Sequence, residues 1–345
     1  MPSPSGAVDL RSDTVTTPTP EMRRAMADAE VGDDAYGEDP TVRRLESLAA
    51  SLLLKEAALY VPSGTMANQL ALRLLGRAGT DVLCGERAHV YRYEHAAAAG
   101  NARVQLRPLP DADGLLAVAD VERAIAAQDH HLPPVSALTL ENTHMPASGR
   151  PWRSAELDPV IGAAHSHGLA VHCDGARLWN ASAAVGVSPA TLASDTDTVM
   201  FCLSKGLSAP IGSLLLGRRD AVAAAREDRS RLGGGMRQAG VIAAAGIVAL
   251  ETMVDRLVDD HVRARRLAVA LADRFPGSVD PDRVETNIVC ARANALPPHL
   301  LPALADRGVL AGTIDVETVR FVTHKDVDDD DLARAIAALD ELARG

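Results

Sequence analysis

The chain has 345 residues, of which 47% are apolar, and a formal net charge of -11. A chain of this length can bury a sizeable core, and it predicts one large domain with a smaller one beside it. Because the negative charge is spread along the chain and no basic tract occurs, nucleic acid is not expected as a partner.

The sequence opens without the charged and apolar segments of a secretion signal, and its longest apolar stretch, residues 240–250, is too short to cross a bilayer. Its four cysteines stand in apolar, strand-like contexts without CxxC spacing: Cys84, Cys173, Cys202 and Cys290. This pattern is typical of reduced thiols in a protein core, not of disulfides or metal sites. We therefore expect a cytoplasmic protein with no membrane partner and no bound metal.

The first part of the chain predicts a polar opening loop followed by two helices, at residues 21–29 and from Pro40 onward. The segment between the helices, residues 31–40, is rich in Gly and Asp, as in a loop with fixed turns. A tyrosine embedded between those turns is less ordinary than solvated acidic residues. Tyr36 is therefore a site candidate.

A possible phosphate site follows the apolar run at residues 57–61, which breaks into Ser63-Gly64-Thr65 before an amphipathic helix. A strand, a loop of small residues and a helix N-terminus gather backbone N–H groups at one point, and such a point binds phosphate. Ser and Thr are also ordinary N-cap residues, so the motif alone leaves both interpretations open. It matches neither a P-loop nor a dinucleotide fingerprint.

From residue 81 onward, short apolar runs alternate with helical segments, and strands are predicted at residues 81–84, 103–106, 135–140, 169–173, 199–202 and 213–217. This alternation predicts a mostly parallel sheet with helices on both faces. Ligands of such sheets bind beyond the carboxyl ends of the strands. Polar residues follow most of the predicted strands: Glu86 to His89, Glu141 to His144, Asp174 to Arg177, and Ser204-Lys205.

Lys205 follows the buried run at residues 198–203 and is one of only three lysines, with Lys55 and Lys325, among 35 basic residues. Arginine cannot be deprotonated to act as a nucleophile, so a lysine kept in an arginine-rich chain suggests a position where guanidinium does not serve. Burial lowers the proton affinity of an amine, which is what a Schiff-base lysine needs. A cation that caps the strand end is the simpler alternative.

The C-terminal part predicts an arginine-rich loop at residues 226–237 that ends in a Gly233-Gly-Gly turn, then a long alanine-rich helical region to about residue 275. After it, strands at residues 287–290 and 319–323 alternate with two helices. We therefore expect an N-terminal arm with the large domain at residues 1–255, and a small α/β domain at residues 256–345.

A strand-end lysine, a phosphate-binding helix start and an aspartate at a second strand end together match a pyridoxal 5'-phosphate (PLP) site. Eight segments, in order along nearly the whole chain, resemble the low-specificity L-threonine aldolases: DLRSDTVT, VGDDAYGEDPTV, PSGTMAN, LENTH, HCDGARLWNA, LSKGLSAPIGSLLLG, GGGMRQAG and VRFVTH. These are PLP enzymes of the aspartate aminotransferase fold type. The resemblance implies a large domain built on a seven-stranded, mostly parallel sheet and a small C-terminal α/β domain.

The resemblance also implies roles for individual residues. Lys205 would form the imine with PLP, Asp174 would pair with the pyridine nitrogen, and His89 would stack on the ring. The remaining expected contacts to PLP come from Gly64, Thr65, Arg177, Ser204 and Arg237. The substrate carboxylate would bind Ser12, Arg177 and Arg320, while His144 lies near the substrate hydroxyl, and Tyr36 and Tyr93 border the substrate.

The implied reaction is cleavage of L-threonine or L-allo-threonine, and of related β-hydroxy-α-amino acids, to glycine and an aldehyde. A base must take the β-hydroxyl proton, and His144 and His89 both remain open for that role. One departure from the family is Ser230, which stands where a lysine is frequent; Arg229, Arg231 or Arg237 could replace its charge.

Two other functions remain open at this stage. One is a different PLP lyase or transaldolase of the same fold that acts on β-hydroxy or β-substituted amino acids, and the other is a catalytically silent PLP-fold binding or scaffold protein. The resemblance further implies a homo-oligomer, a dimer of dimers with sites near the subunit interface. Tyr36 and the glycine-rich loop would contribute to a neighbour's site.

Overall fold

The computed structural model describes residues 6–127 and 129–344. Its α-helices are α1 Pro20–Ala27, α2 Pro40–Leu53, α3 Gly64–Leu75, α4 His89–Arg92, α5 Val118–Ala126, α6 Ser154–Ser166, α7 Leu178–Val185, α8 Pro189–Ala193, α9 Arg219–Arg231, α10 Gly240–Thr252, α11 Leu257–Arg274, α12 Leu300–Ala305 and α13 Asp329–Arg344. Its strands are β1 Val8–Asp9, β2 Ala57–Val61, β3 Asp81–Gly85, β4 Gln105–Leu109, β5 Val135–Glu141, β6 Ala170–Asp174, β7 Thr198–Cys202, β8 Ser213–Gly217, β9 Ile288–Arg292, β10 Val309–Leu310, β11 Gly312–Asp315 and β12 Thr318–Val322.

The main sheet has seven strands in the order β2-β8-β7-β6-β5-β3-β4. Strand β8 runs antiparallel to both of its neighbours, whereas the pairs from β7 to β4 are parallel. The mostly parallel α/β sheet predicted from the sequence is therefore confirmed. Its central strands β5, β6 and β7 are buried along nearly their whole length, as expected for a sheet covered on both faces.

Helix α2 shows how local sequence positions the elements around this sheet. Asp39 caps its N-terminus by accepting a 2.9 Å hydrogen bond from the Val42 N–H, and Pro40 occupies the first helical position. Its buried residues recur at helical spacing: Val42, Leu45, Ala49 and Leu53. They belong to the largest apolar cluster of the described residues, which also includes Trp152, Trp179 and Phe201.

A second apolar cluster lies in the C-terminal part, where β9, β11 and β12 form a three-stranded antiparallel sheet against α11 and α13. Val8 and Leu10 of the N-terminal segment belong to this cluster, and β1 pairs in parallel with β10. The domain division at residue 255 stays a prediction. Among the described residues, no helix combines the length and apolar character needed to span a bilayer.

Two local predictions were wrong. Residues 226–231 are not part of a loop but the last turns of α9, which continues until the turn that begins near Gly233. Arg226 and Arg229 pair with Glu46 and Asp34 of other segments, and Arg231 pairs with Asp228 three residues before it in the same helix. Composition alone did not reveal these partners. The strand predicted at residues 103–106 lies at Gln105–Leu109 instead, at the sheet edge where Pro108 is tolerated.

Candidate active site

A cavity of about 150 Å³ opens at the carboxyl ends of β6 and β7. It is lined by the start of α3, by the first residue of α4 and by the segment after β7. Six residues predicted to be functional meet around it: Gly64, Thr65, His89, Asp174, Ser204 and Lys205. Segments up to 141 residues apart thus converge on the sheet edge where an α/β fold binds its ligands.

The start of α3 forms one end of this cavity. Ser63 caps the helix by accepting a 3.2 Å hydrogen bond from the Met66 N–H, and the twelve-residue helix directs its positive end at the cavity. A Cβ atom at Gly64 would lie 2.9 Å from Cys202 Sγ and 3.0 Å from Met200 Cε. Only glycine therefore lets the helix start pack this close to the end of β7.

Lys205 is held in place through its backbone. Its carbonyl accepts hydrogen bonds from the Ser208 N–H at 2.8 Å and from the Thr16 hydroxyl at 3.1 Å. The described residues offer no hydrogen bond or ion pair to the Lys205 amine, which leaves it available at the cavity wall. Its charge nevertheless acts on two buried carboxylates, Asp174 and Asp13.

Asp174 ends β6 and is buried to 2% exposure. Burial alone would raise the pKa of this carboxyl, but the nearby charges of His89 and Lys205, with a hydrogen bond from Asn68, hold it below its ordinary value. The Asn68 amide donates to Asp174 Oδ2 at 2.7 Å and the Ala176 N–H donates to Oδ1 at 3.1 Å. The side chain is thus a fixed anion at the base of the cavity.

His89 is the first residue of α4, and its backbone N–H donates to Glu141 Oε2 at 2.7 Å. Its ring Nδ1 lies 3.0 Å from Glu94 Oε1. Burial works to lower the pKa of His89, but the hydrogen bond to Glu94 and the charges of Asp174 and Glu141 raise it overall. Because the Glu94 carboxylate only accepts, Nδ1 carries a proton and Nε2 is the nitrogen that titrates.

Arg177 and Asp13 form a buried ion pair beside the cavity. Arg177 Nε and Nη2 donate to the two carboxylate oxygens of Asp13 at 2.7 and 2.6 Å. Burial opposes the charge of Asp13, but Arg177 prevails and holds the pKa of this carboxyl far below its ordinary value. Asn287 of the C-terminal part also donates to Asp13, at 3.2 Å. Three distant segments therefore meet at this pair.

Arg320 on β12 lies near Arg177. The Arg320 side chain makes fewer hydrogen bonds than that of Arg177. Its Nη2 donates to the Arg11 carbonyl at 2.9 Å, whereas its buried Nε makes no hydrogen bond with the described residues. Burial and the positive charge of Arg177 lower the pKa of Arg320. Ser12, the third residue expected to bind the carboxylate, accepts hydrogen bonds from Thr14 at the start of the neighbouring 3-10 turn.

His144 is almost fully buried and does not line the cavity around Lys205. Its Nε2 lies 2.9 Å from Asp111 Oδ2, and its Nδ1 makes no hydrogen bond with the described residues. The ring of Tyr93 lies 5.6 Å from that of His89, and it packs against the small apolar cluster of Met145, Ile288 and Val322.

The beta-eliminating lyase family matches residues 9–295 of the chain. A probable low-specificity L-threonine aldolase 2 of Arabidopsis thaliana is 39% identical, over 99% of this chain and 98% of the relative. The low specificity L-threonine aldolase of Escherichia coli K12 is 40% identical, over 96% of this chain and 97% of the relative. The chain belongs to the low-specificity L-threonine aldolase family of beta-eliminating lyases.

Solved structures show the same fold at lower identity. Leishmania major threonine aldolase aligns with a TM-score of 0.83 at 21% identity, covering 97% of this chain and 99% of that one. A structure of SPT with PLP aligns with a TM-score of 0.77 at 17% identity, covering 98% of this chain and 87% of that one. The predicted PLP fold type is therefore confirmed.

Like His144, two further residues that the aldolase resemblance assigns to the site do not line the cavity, and both are exposed. Tyr36 is 79% exposed, in a short 3-10 turn. The Arg237 side chain is 69% exposed and lies 3.6 Å from Asp33. Their backbones are linked, because the Asp34 N–H donates to the Arg237 carbonyl at 3.0 Å. Their roles in this aldolase-family chain stay predictions.

Ser230 faces the glycine-rich loop, where its Oγ would lie 3.3 Å from a Cβ atom on Gly235. Of the arginines that could replace the frequent lysine, Arg229 is buried and donates to Asp34 and to the Tyr60 carbonyl. Arg231 is paired with Glu227 and Asp228. Arg237 is thus the least engaged of the three.

Sequence reasoning gave no role to five buried residues that hold the site together, although it noted Glu141 among the polar residues that follow strands: Asn68, Glu94, Asp13, Glu141 and Asp111. Four are carboxylates that accept from Arg177, from His89 or its backbone N–H, or from His144. Asn68 and Asp13 lie inside segments that carried the resemblance, PSGTMAN and DLRSDTVT, so these two had a local signal. Glu94 and Asp111 had none.

One group of the described residues has ligand atoms close enough to contact a single cation, namely His89, Glu94 and Asp174, within 4.8 Å of one another. Asn68 already donates to both carboxylates, and His89 pairs with Glu94. These hydrogen bonds account for the short distances without a metal. The cavity in front of them instead combines an amine, a carboxylate and a helix N-terminus, which is the donor set that fits PLP.

Proposed function

We propose that this protein is a PLP-dependent aldolase that cleaves L-threonine or L-allo-threonine, and related β-hydroxy-α-amino acids, to glycine and an aldehyde. The observation that carries the proposal is the convergence of the Lys205 amine, the Asp174 carboxylate and the α3 N-terminus on one cavity. Homology over nearly the full length of two threonine aldolases supports the substrate class.

Each group would have a defined part in holding the cofactor. Lys205 would join PLP covalently, Gly64 and Thr65 would present their N–H groups to its phosphate, and Asp174 would hold the pyridine nitrogen protonated. When bound, PLP supplies an electron sink for the electrons of the broken carbon–carbon bond. His89 is placed to cover the ring, since it lines the same cavity as Lys205 and Asp174.

The substrate must also be held in a fixed rotamer, because the bond to be broken has to lie perpendicular to the ring plane. We propose that Arg320 and Ser12 bind its carboxylate, and that Arg177 supports them with its Nη1 group, to which Asp13 makes no hydrogen bond. Arg320 suits this role because its guanidinium has no carboxylate partner among the described residues.

A proton must leave the β-hydroxyl as the aldehyde departs. His89 and His144 are the two proposed acceptors, and their surroundings differ. His89 lines the cavity and is paired with Glu94, whereas His144 is enclosed and paired with Asp111. Tyr93, which contacts His89, is proposed to border the substrate side chain.

The experiment that tests the proposal is a pair of product assays on the purified protein with L-threonine. Aldehyde is measured with an alcohol dehydrogenase and NADH, and ammonia with glutamate dehydrogenase. We expect aldehyde and glycine in equal amounts and no ammonia, and Lys205→Ala should abolish both the turnover and the visible absorbance of bound PLP. Ammonia and a keto acid as products would instead indicate a β-eliminating lyase.

We also propose a cytoplasmic homo-oligomer in which Tyr36 and Arg237 reach a neighbouring subunit's site. Their exposure next to one another, on linked backbones, supports this arrangement. The four cysteines are free, as expected in a reducing compartment. Light scattering on the purified protein measures the oligomeric state directly, and Tyr36→Ala should lower activity without lowering the PLP content.

A further inference from the structure

Asn68 lies in the second turn of α3, with an exposure of only 1%, and touches three ionisable side chains. Its Nδ2 donates to Asp174 Oδ2 at 2.7 Å and to Glu94 Oε1 at 2.7 Å. Its Oδ1 lies 3.0 Å from His172 Nε2. One buried amide therefore stands between two buried carboxylates and is held from behind by an imidazole.

The direction of every hydrogen bond in this group follows from the two carboxylates, because an ionised carboxylate only accepts. Both N–H bonds of the Asn68 amide must point at them, so its oxygen must accept from His172 Nε2–H. His172 Nδ1 then carries a lone pair and accepts from the Thr198 hydroxyl at 2.9 Å. Burial lowers the pKa of His172 to about 4, which keeps this imidazole neutral. The chain Thr198, His172, Asn68 thus has a single orientation.

Glu94 extends the group to His89. Its side chain is fully buried and accepts from His89 Nδ1 at 3.0 Å and from Gln69 Nε2 at 2.7 Å, in addition to Asn68. The carboxylate of Asp174 and the imidazole of His89 are thereby joined through one side chain, Asn68, although they come from different strands and helices of the sheet edge. No other described residue donates to both carboxylates.

We propose that Asn68 is a positioning residue for the cofactor site, which fixes the Asp174 carboxylate and the His89 imidazole relative to one another by donating to Asp174 and Glu94 at once. The inference rests on the proposed function, since it concerns the two groups that would hold and cover the pyridine ring. Loss of Asn68 leaves two buried carboxylates without the donor between them, so one of them gains a proton or shifts away.

Gln69 offers a matched control, because it donates to the same Glu94 carboxylate at the same 2.7 Å and comes from the same helix, yet does not reach Asp174. We expect Asn68→Ala to raise the Kd of the full-length protein for PLP by about tenfold or more, the range for a hydrogen bond to a charged group. Gln69→Ala should leave this Kd within about threefold of the wild-type value. Equilibrium dialysis measures both, and circular dichroism confirms that each variant is folded.

A second variant, Asn68→Asp, keeps the size of the side chain and so guards against misfolding. The ionisable groups that face Asp174 are His89 from α4, Lys205 from the segment after β7 and His172 from β6, with Glu94 beyond Asn68. A third carboxylate among them repels the other two until it binds a proton and can donate. The loss of PLP affinity, relative to wild type, should therefore shrink as the pH falls from about 8.5 to about 6, whereas the loss in Asn68→Ala should not.

The results separate this inference from the proposed function. Wild-type protein that binds no PLP overturns the proposed function. Wild-type affinity in folded Asn68→Ala, or equal losses in Asn68→Ala and Gln69→Ala, overturns the positioning role alone. A pH-independent loss in Asn68→Asp also contradicts it, because a merely structural defect would not respond to protonation.

Discussion

Two buried polar groups flank the cavity, and they are built differently. On the sheet side, Asp174, Asn68 and His172 come from β6 and the adjacent α3, and the hydrogen bonds between them are complete. On the arginine side, Arg177 of the main sheet's edge, Asp13 of the N-terminal segment and Arg320 of the C-terminal part are brought together by tertiary packing.

The difference lies in how far charge is compensated. Asp13 neutralises Arg177 through two short hydrogen bonds, but Arg320 has only a carbonyl partner and keeps a buried Nε without a hydrogen bond among the described residues. A buried ion pair compensates its own charges, whereas a half-buried cation without an anionic partner, such as Arg320, favours any anion that reaches it. We infer that the sheet side is preorganised and that the arginine side is completed by a substrate carboxylate.

The largest expected effect on stability comes from breaking the buried ion pair of Asp13 and Arg177. Asp13→Ala leaves Arg177 charged and buried without its partner, so the free energy of unfolding should fall by about 3–5 kcal/mol in urea. The double change Asp13→Leu with Arg177→Met removes both charges and should recover most of that stability without recovering activity. A loss below about 1 kcal/mol in the single variant would show that Asp13 does not compensate a buried charge on Arg177.

The two groups also differ in the pH range over which their contribution to stability is lost. The pKa of His172 is about 4 in the fold, below its ordinary 6.5, so the unfolded chain binds the proton more tightly. Its contribution to stability is present above about pH 6.5 and is lost as the pH falls toward 4, by about 3 kcal/mol in all. Asp13, whose pKa is also lowered, contributes above its unfolded value of 3.8 and loses this contribution only as the pH falls below it.

The test is the slope of unfolding free energy against pH in wild type and His172→Gln. The variant should show a shallower slope between pH 4 and 6.5, by up to one proton, and an unchanged slope below pH 4. His261, with a pKa of about 4, contributes in the same window, so part of the slope remains. His89, whose pKa is raised, acts in the opposite direction. Identical slopes in both proteins would mean that His172 is not buried neutral.

Sequence alone revealed the residues that end the strands beside the cavity, for a physical reason. Buried parallel strands are continuous apolar runs, and the polar residue that ends each run is visible, as with Asp174 and the region of Lys205. Glu94 carried no signal, and Asn68 none beyond its place in the PSGTMAN segment, because a polar residue inside a helix or turn looks the same whether it faces solvent or the core. Tertiary burial distinguishes them.

The arginine side could be predicted only in part. The resemblance assigned Arg177 and Arg320 the same task, and the local sequence of Arg177 after β6 and of Arg320 within β12 does not show which of them has a carboxylate partner. The difference between them is made by Asp13, which lies 164 residues from Arg177 in the chain. Pairing of the N-terminal segment with β10 and with the C-terminal cluster brings Asp13 there, and such long-range pairing leaves no periodic signal.

The smallest of the expected effects concerns Arg320, on the arginine side of the cavity. Arg320→Gln removes a cation that no carboxylate compensates, so the free energy of unfolding should change by less than about 1 kcal/mol, and KM for L-threonine should rise about 10- to 100-fold. Arg292→Gln is the control from the neighbouring strand β9, since that guanidinium donates to the Gly277 carbonyl at 2.7 Å. Threonine methyl ester, which lacks the carboxylate, should react equally poorly with wild type and Arg320→Gln. A selective loss with the ester would place Arg320 against another part of the substrate, and the inference that a substrate carboxylate completes the arginine side would then be wrong.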